Sequence, residues 1–308
     1  MRILVVGVGG IGGYFGGRLL EAGRDVRFLV RPSRAAVLAK TGLAIKSPLG
    51  DYAHPAPPTV TAAGADGPAD LILLSCKAYD LEDAIASFAP AVGPDTLILP
   101  LLNGMAHMDV LDACFGKARV LGGLCQISSG RDAEGRVLHF NDVHNLVCGD
   151  RADPRSEAIA RVEAALGSAG FVLRVSPAIV QEMWEKWVFI AACAGITCLM
   201  RAGVGDIVAA GGAPVTEALF EECCKIAANQ GFPPGEGLIK QARTFLFNPQ
   251  SALMASMLRD VERGAPTEAD HVLGALLKLG VNGTGAPTLN LAYVHLKAYE
   301  ARRTREAG

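Results

Sequence analysis

The chain has 308 residues, 50% of them apolar and 19% charged, with 36 glycines and 17 prolines. That composition excludes an extended disordered tract and a collagen-like repeat, and the length allows two domains with substantial cores. Lys+Arg 29 against Asp+Glu 31 leaves a formal net charge of −2, so no global positive field is available to neutralise a nucleic-acid backbone.

Taken in chain order, β-rich runs alternate with helical stretches through the first half. Strands are predicted over 2–6, 25–30, 71–75, 96–100, 120–125, 146–148 and 172–175, several of them bounded by Gly, Pro or Asp. The alternation implies a mainly parallel sheet covered by helices, an α/β arrangement. After Ser176-Pro177 the pattern turns helical, through 179–200, 214–229, 237–246, 253–263 and 268–278. A boundary near residue 175 divides the chain into domains 1–175 and 176–308. Gly264 and Pro266 close one helix, Thr267 with Asp270 opens the next, and Gly280 supplies its stop. Ser256 and Glu268 are therefore expected on different helices that turn into one cleft.

The longest nearly unbroken apolar run, Trp187 to Met200, falls short of the roughly 20 residues of a membrane span and is read as a buried helix. The N-terminal ILVVGVGGIGG is apolar but broken by glycines and lacks a cleavage site, so it is not a signal peptide, and a cytoplasmic protein is expected. The 8 cysteines are scattered, with one adjacent pair and no CxxC, and are expected as reduced, mostly buried thiols. Neither they nor the six histidines (His54, His107, His139, His144, His271 and His295) have ligand spacing, so no metal is expected.

Gly7-Val8-Gly9-Gly10-Ile11-Gly12 follows the first strand directly and opens a helix over 14–22 that ends at Gly23. In a dinucleotide site the first glycine permits the tight turn, the second lets a pyrophosphate approach the backbone, and the third lets helix and sheet pack closely. A glycine-rich structural turn is the competing reading. About 20 residues past this motif an NAD-preferring site carries an acidic residue against the ribose diol. Arg31-Pro32-Ser33-Arg34 stands there instead, and a guanidinium can pair bidentately with a 2′-phosphate, so NADP(H) is the expected cofactor. Two more strand ends lead to Cys76-Lys77 and to Asn103-Gly104, where ligands of open parallel sheets gather. Lys77 can add positive charge, and Asn103 offers an amide donor and acceptor to cofactor or substrate.

Lys186 enters a helix whose following stretch, to Met200, carries no charge, surroundings that suit an ammonium used for proton donation. An ordinary helix pair with Glu182, four residues earlier, would look the same. Glu268, at an expected helix start, suits an ionised partner that orients Lys186 or a substrate hydroxyl, and equally suits a stabilising first-turn residue.

With these residues together, the chain resembles the ketopantoate reductase (2-dehydropantoate 2-reductase) family over essentially its full length. ILVVGVGGIGG, Arg31, SCKAYD with Lys77, LLNGM with Asn103, EMWEKW with Lys186 and ASMLRDVERGAPTE with Ser256 and Glu268 fall in the family's order. The resemblance implies a Rossmann-type N-terminal domain, an all-helical C-terminal domain, and a ternary site in the cleft between them. It implies that Lys186 is the general acid, that Glu268 contacts cofactor and substrate, that Ser256 holds the substrate carboxylate, and that Asn103 touches both ligands. The reaction implied is NADPH-dependent reduction of a 2-oxo acid, foremost ketopantoate, to a 2-hydroxy acid; a homodimer is compatible with what the chain displays.

One departure bears on the substrate. Where well-characterised members line the cleft with asparagines, this chain has Ile190, Ala194 and Val204. An apolar wall favours a less hydroxylated substrate, so another branched 2-oxo acid is the alternative. A 3-hydroxyacid or 6-phosphogluconate-type dehydrogenase shares the plan, but its lysine is followed closely by asparagine, where Phe189 and Ile190 stand here. A non-catalytic NADP-binding redox sensor is the reading outside enzymology.

Overall fold

The computed structural model describes residues 1–62, 67–280 and 285–307, which fold as two compact units. The first comprises Met1–Leu102 and His107–Val180; the second comprises Asn103–Ala106 and the residues from Gln181 on.

In chain order the first unit runs β1 (Ile3–Val6), α1 (Gly10–Glu21), β2 (Val26–Leu29), α2 (Pro32–Thr41), β3 (Leu43–Lys46), β4 (Tyr52–His54), β5 (Thr59–Val60) and β6 (Ala69–Leu74). It continues with α3 (Leu81–Phe88), β7 (Val92–Pro100), α4 (Ala106–Phe115), β8 (Gly122–Arg131), β9 (Val137–Gly149), α5 (Glu157–Leu166) and β10 (Val172–Val175). β1 is buried at all four positions, as a strand covered on both faces must be. It sits at the centre of a wholly parallel sheet ordered β5-β2-β1-β6-β7. Because β2 lies on one side of β1 and β6 on the other, the sheet reverses its direction of growth here, and the carboxyl ends of β1 and β6 frame the crevice where such folds bind ligands.

The second sheet is mixed. One edge of β9 pairs parallel with β3 and β10, the other pairs antiparallel with β8, and β3 pairs antiparallel with β4. β8 and β9 extend well beyond the expected 120–125 and 146–148 because they continue as a polar hairpin, closed by Asp132–Gly135, where each strand satisfies the other's backbone. β3, β4 and β5 have no counterpart among the expected strands. Tyr14 of α1 joins a partly buried polar cluster: Tyr14 Oη and His144 Nδ1 are 2.8 Å apart, and His139 is stacked on His144 and hydrogen-bonded to Ser47.

The regular elements of the second unit, among its described residues, are all helical. The unit contains most of α6 (Ile179–Met200), then α7 (Val204–Ala209), α8 (Ala213–Asn229), α9 (Glu236–Leu246), α10 (Ser256–Glu262), α11 (Ala275–Gly280) and α12 (Pro287–Ala307). α6 is apolar and long enough by composition to cross a membrane, and most of it is buried inside the protein. Leu289, Ala292 and Leu296 seat α12, a helix absent from the expected elements.

Three local expectations are corrected. α1 begins at Gly10 rather than at Tyr14, so the last motif glycine is already helical. The stretch 268–278 is not one α-helix: Asp270–Gly274 is a π-helical turn that leads into α11, whose last residue is Gly280. The Thr267–Asp270 capping box forms only by half: Thr267 Oγ1 accepts from Ala269 N–H at 3.4 Å, but the Thr267 N–H goes to Glu300 and Asp270 accepts from Tyr293 and Lys297 instead of reaching back.

Candidate active site

In the first unit, β1 delivers Gly7 with φ +92°, a left-handed turn that glycine adopts without strain. The chain then enters α1 through Gly9, which has no side-chain cap, with no acidic residue in the first turn. Gly13 N–H makes the first helical bond, to Gly9 O, so the preceding amides are left to an anion at the positive end of the helix. A Cβ at Gly9 would meet nothing within 4 Å, whereas one at Gly12 would collide with Ser75 Oγ and the Gly7 carbonyl. Ser75 Oγ itself donates to Val6 O at 2.8 Å, tying β6 to the turn. Open space over the second glycine and none over the third is the cradle a pyrophosphate needs. Val8 and Ile11 pack into or against the core, leaving only backbone to the ligand, and Gly10 closes against Ser129 and Gly130 of β8.

At the end of β2, Arg31 is the N-cap residue of α2, with its side chain 67% exposed. Its Nη2 donates to Asp80 Oδ1 at 2.7 Å and lies 3.9 Å from Asp83 Oδ2; the hydrogen bond to Asp80 raises the guanidinium's pKa. Lys77, half-buried, is the N-cap of the short 3₁₀ turn Ala78–Asp80 that presents Asp80. Ser33 is exposed, but Arg34 turns away: its Nη2 donates to Gly135 O at 2.9 Å, and burial, then Arg131, lower its pKa. Asp80 was not foreseen as a site residue, although it lies inside the SCKAYD segment.

In the second unit, Lys186 is half-buried on α6, and its neighbour Trp187 donates from Nε1 to Val272 O at 2.8 Å. That bond fastens α6 to the π-helical turn. Glu268, 8% exposed, lies two residues before the turn, and His271 lies on it beside Glu268. The His271 ring donates to the Asn103 backbone carbonyl; burial lowers its pKa, opposed by Glu268 and by this bond. Gly104 takes φ +79° against the ring, where a Cβ would sit 3.1 Å from His271 Cδ2. The tetrapeptide Asn103–Ala106 thus packs with the helical unit, and His271 joins Asn103 to Glu268. Neither His271 nor Trp187 was foreseen as a site residue; only their adjacency to Glu268 and Lys186 signalled them.

Ser256 is exposed at the first position of α10, so its side chain is accessible to a ligand. Of the three positions that depart from the asparagine pattern, Ile190 is half-buried, while Ala194 and Val204 are 4% and 1% exposed. The expectation of an apolar binding wall therefore rests on Ile190; Ala194 and Val204 are core residues.

Two family descriptions match the chain: ketopantoate reductase PanE/ApbA over residues 3–153, and its C-terminal counterpart over residues 178–300. The chain is 38% identical over 305 residues to an uncharacterized oxidoreductase, YkpB, of Bacillus subtilis (strain 168), covering 98% of this chain and 100% of that protein. It is 27% identical over 311 residues to the 2-dehydropantoate 2-reductase of Pyrococcus horikoshii, covering 98% of each. Among solved structures, the 2-dehydropantoate 2-reductase of Geobacter metallireducens GS-15 superposes with a TM-score of 0.88 at 27% identity, covering 97% of this chain and 99% of that one. The chain belongs to the ketopantoate reductase family and is an NADP-dependent oxidoreductase that reduces a 2-oxo acid.

Proposed function

We propose that the protein reduces 2-dehydropantoate (ketopantoate) to pantoate with NADPH. The observation that carries this reading is the assembly of Asn103 and Glu268 about His271 within the helical unit, His271 lying on a turn fastened through Trp187 to the helix of Lys186. The glycine turn before α1 holds the pyrophosphate, Lys77 adds positive charge beside the cofactor, and Arg31 takes the 2′-phosphate. The bound cofactor supplies a hydride for the keto carbon. Lys186 gives its proton to the oxygen that gains negative charge and stabilises that charge beforehand. Asn103 and Ser256 hold the substrate, with Ser256 at its carboxylate, and Glu268 orients Lys186 or a substrate hydroxyl. A cytoplasmic location and a place in pantothenate biosynthesis go with this reading.

Ile190 favours a second reading, in which the substrate is a branched 2-oxo acid without a hydroxyl. Each methylene buried against that side chain contributes about 0.8 kcal/mol. A hydroxyl that exchanges water for a poorer contact loses roughly 0.5–1.5 kcal/mol. Loss of NADPH absorbance is measured across a panel of 2-oxo acids with wild type and Ile190→Asn. Ketopantoate should give the highest kcat/KM; an unhydroxylated acid in first place, with the order moving towards ketopantoate in Ile190→Asn, establishes the second reading. NADPH binding with no oxidation by any acid leaves a redox sensor.

A further inference from the structure

The 2′-phosphate end of the cofactor site has an unusual charge arrangement for a pocket meant to hold a dianion. Of the two arginines after β2, Arg34 is committed to the Gly135 carbonyl on the β8–β9 hairpin. Arg31 is left as the guanidinium for the phosphate, and its Nη2 already carries one carboxylate at 2.7 Å and a second at 3.9 Å. A bidentate phosphate contact uses two adjacent N–H groups of the guanidinium edge. One of those nitrogens is the atom bonded to Asp80, and both carboxylates repel an incoming phosphate. An NADP-type ligand must therefore share or displace Asp80, whereas a cofactor that ends in a ribose diol meets no such competition and finds in Asp80 an acceptor for a hydroxyl.

We infer that Asp80 is a specificity-determining residue that competes with the cofactor's 2′-phosphate for Arg31 and so holds down the enzyme's preference for NADPH over NADH. The inference rests on the assignment of Arg31 to the 2′-phosphate. Asp80 does this from a fixed place: its own N–H is bonded to Lys77 O at 2.9 Å, which closes the 3₁₀ turn between β6 and α3. Asp83, in the first turn of α3 and more exposed, adds a weaker repulsion of the same sign.

The test titrates NADPH and NADH separately by reduced-nicotinamide fluorescence, without substrate, into wild type, Asp80→Asn, Arg31→Ala and the double variant. Asp80→Asn should tighten NADPH by roughly two- to fivefold at low salt, the range of an exposed ion pair, and leave NADH unchanged or slightly weaker. The gain should shrink as salt is raised and vanish in the Arg31→Ala background. An unchanged or weakened NADPH affinity in Asp80→Asn overturns the inference, as does a gain of equal size with and without Arg31, which would be plain charge repulsion. Arg31→Ala on its own separates the two layers. If it weakens NADPH and NADH alike, the assignment of Arg31 fails and takes the inference with it. If it weakens NADPH alone while Asp80→Asn does nothing, the assignment stands and only the role of Asp80 is lost.

Discussion

Lys186 is the last charge on α6 before an apolar stretch that runs to Met200, and the Trp187 bond to Val272 fixes the helix at that point. A proton donor needs a fixed origin more than it needs a special sequence context, because transfer depends on reaching one oxygen at hydrogen-bond distance. Lys186→Ala should lower turnover by on the order of 10²–10⁴-fold in an assay limited by chemistry, while the fluorescence titration of NADPH stays near wild type. A variant that keeps most of its turnover removes Lys186 from the proton-donor role. The residues that sequence singled out here share one property: their environment is set by immediate neighbours. The glycines of the α1 turn are constrained by the turn itself, and Lys186 stands out against its own helix. Asp80, His271 and Arg34 were opaque because their partners lie far along the chain, at Arg31, Asn103 and Gly135.

At the scale of elements, legibility follows how much of an element's stability is apolar burial. β1 and α6 bury nearly continuous apolar runs and were readable almost to the residue. The outer β8–β9 hairpin is stabilised by backbone pairing between polar segments, which leaves no periodic trace. α12 buries a narrow stripe of Leu289, Ala292 and Leu296, but Leu291 and Val294 are exposed beside it and blur the helical period. The π-helical turn could not be read either, since its wider winding depends on contacts from α6 and α12 and not on its own composition. π turns are frequent at functional sites, and this one begins two residues after Glu268. Trp187→Phe deletes one buried bond to it and leaves the Val272 carbonyl to find another donor, at a cost of about 1–3 kcal/mol. Denaturant unfolding should register that loss. If the turn also positions Glu268 and His271, kcat should fall while the NADPH dissociation constant, measured without substrate, does not move; a loss of stability with unaltered kcat would make the bond purely structural.

At the scale of the whole molecule, an imidazole in each unit is held below the ordinary histidine range. In the first unit, burial chiefly depresses His144, with His139 and Arg18 adding to it; in the second, burial depresses His271 against the opposing pull of Glu268 and the Asn103 carbonyl. An unfolded chain titrates both near pH 6.5, so below that value it binds more protons than the folded chain does. Stability then rises with pH through this window: the contribution is fully present above about pH 6.5 and is lost as pH falls through the depressed folded values. The carboxylates held low by hydrogen bonds, such as Asp132 and Asp51, titrate further down and do not contribute here. Tm should therefore decline as pH is lowered from about 7.5 to 5.5. His144→Gln and His271→Gln should each flatten part of that decline, because each removes one titration from one unit. His144→Gln also tests whether the Tyr14 hydroxyl needs an imidazole partner, since an amide can keep that hydrogen bond without taking up a proton. The same pH slope in both variants as in wild type would mean that neither imidazole drives the acid sensitivity.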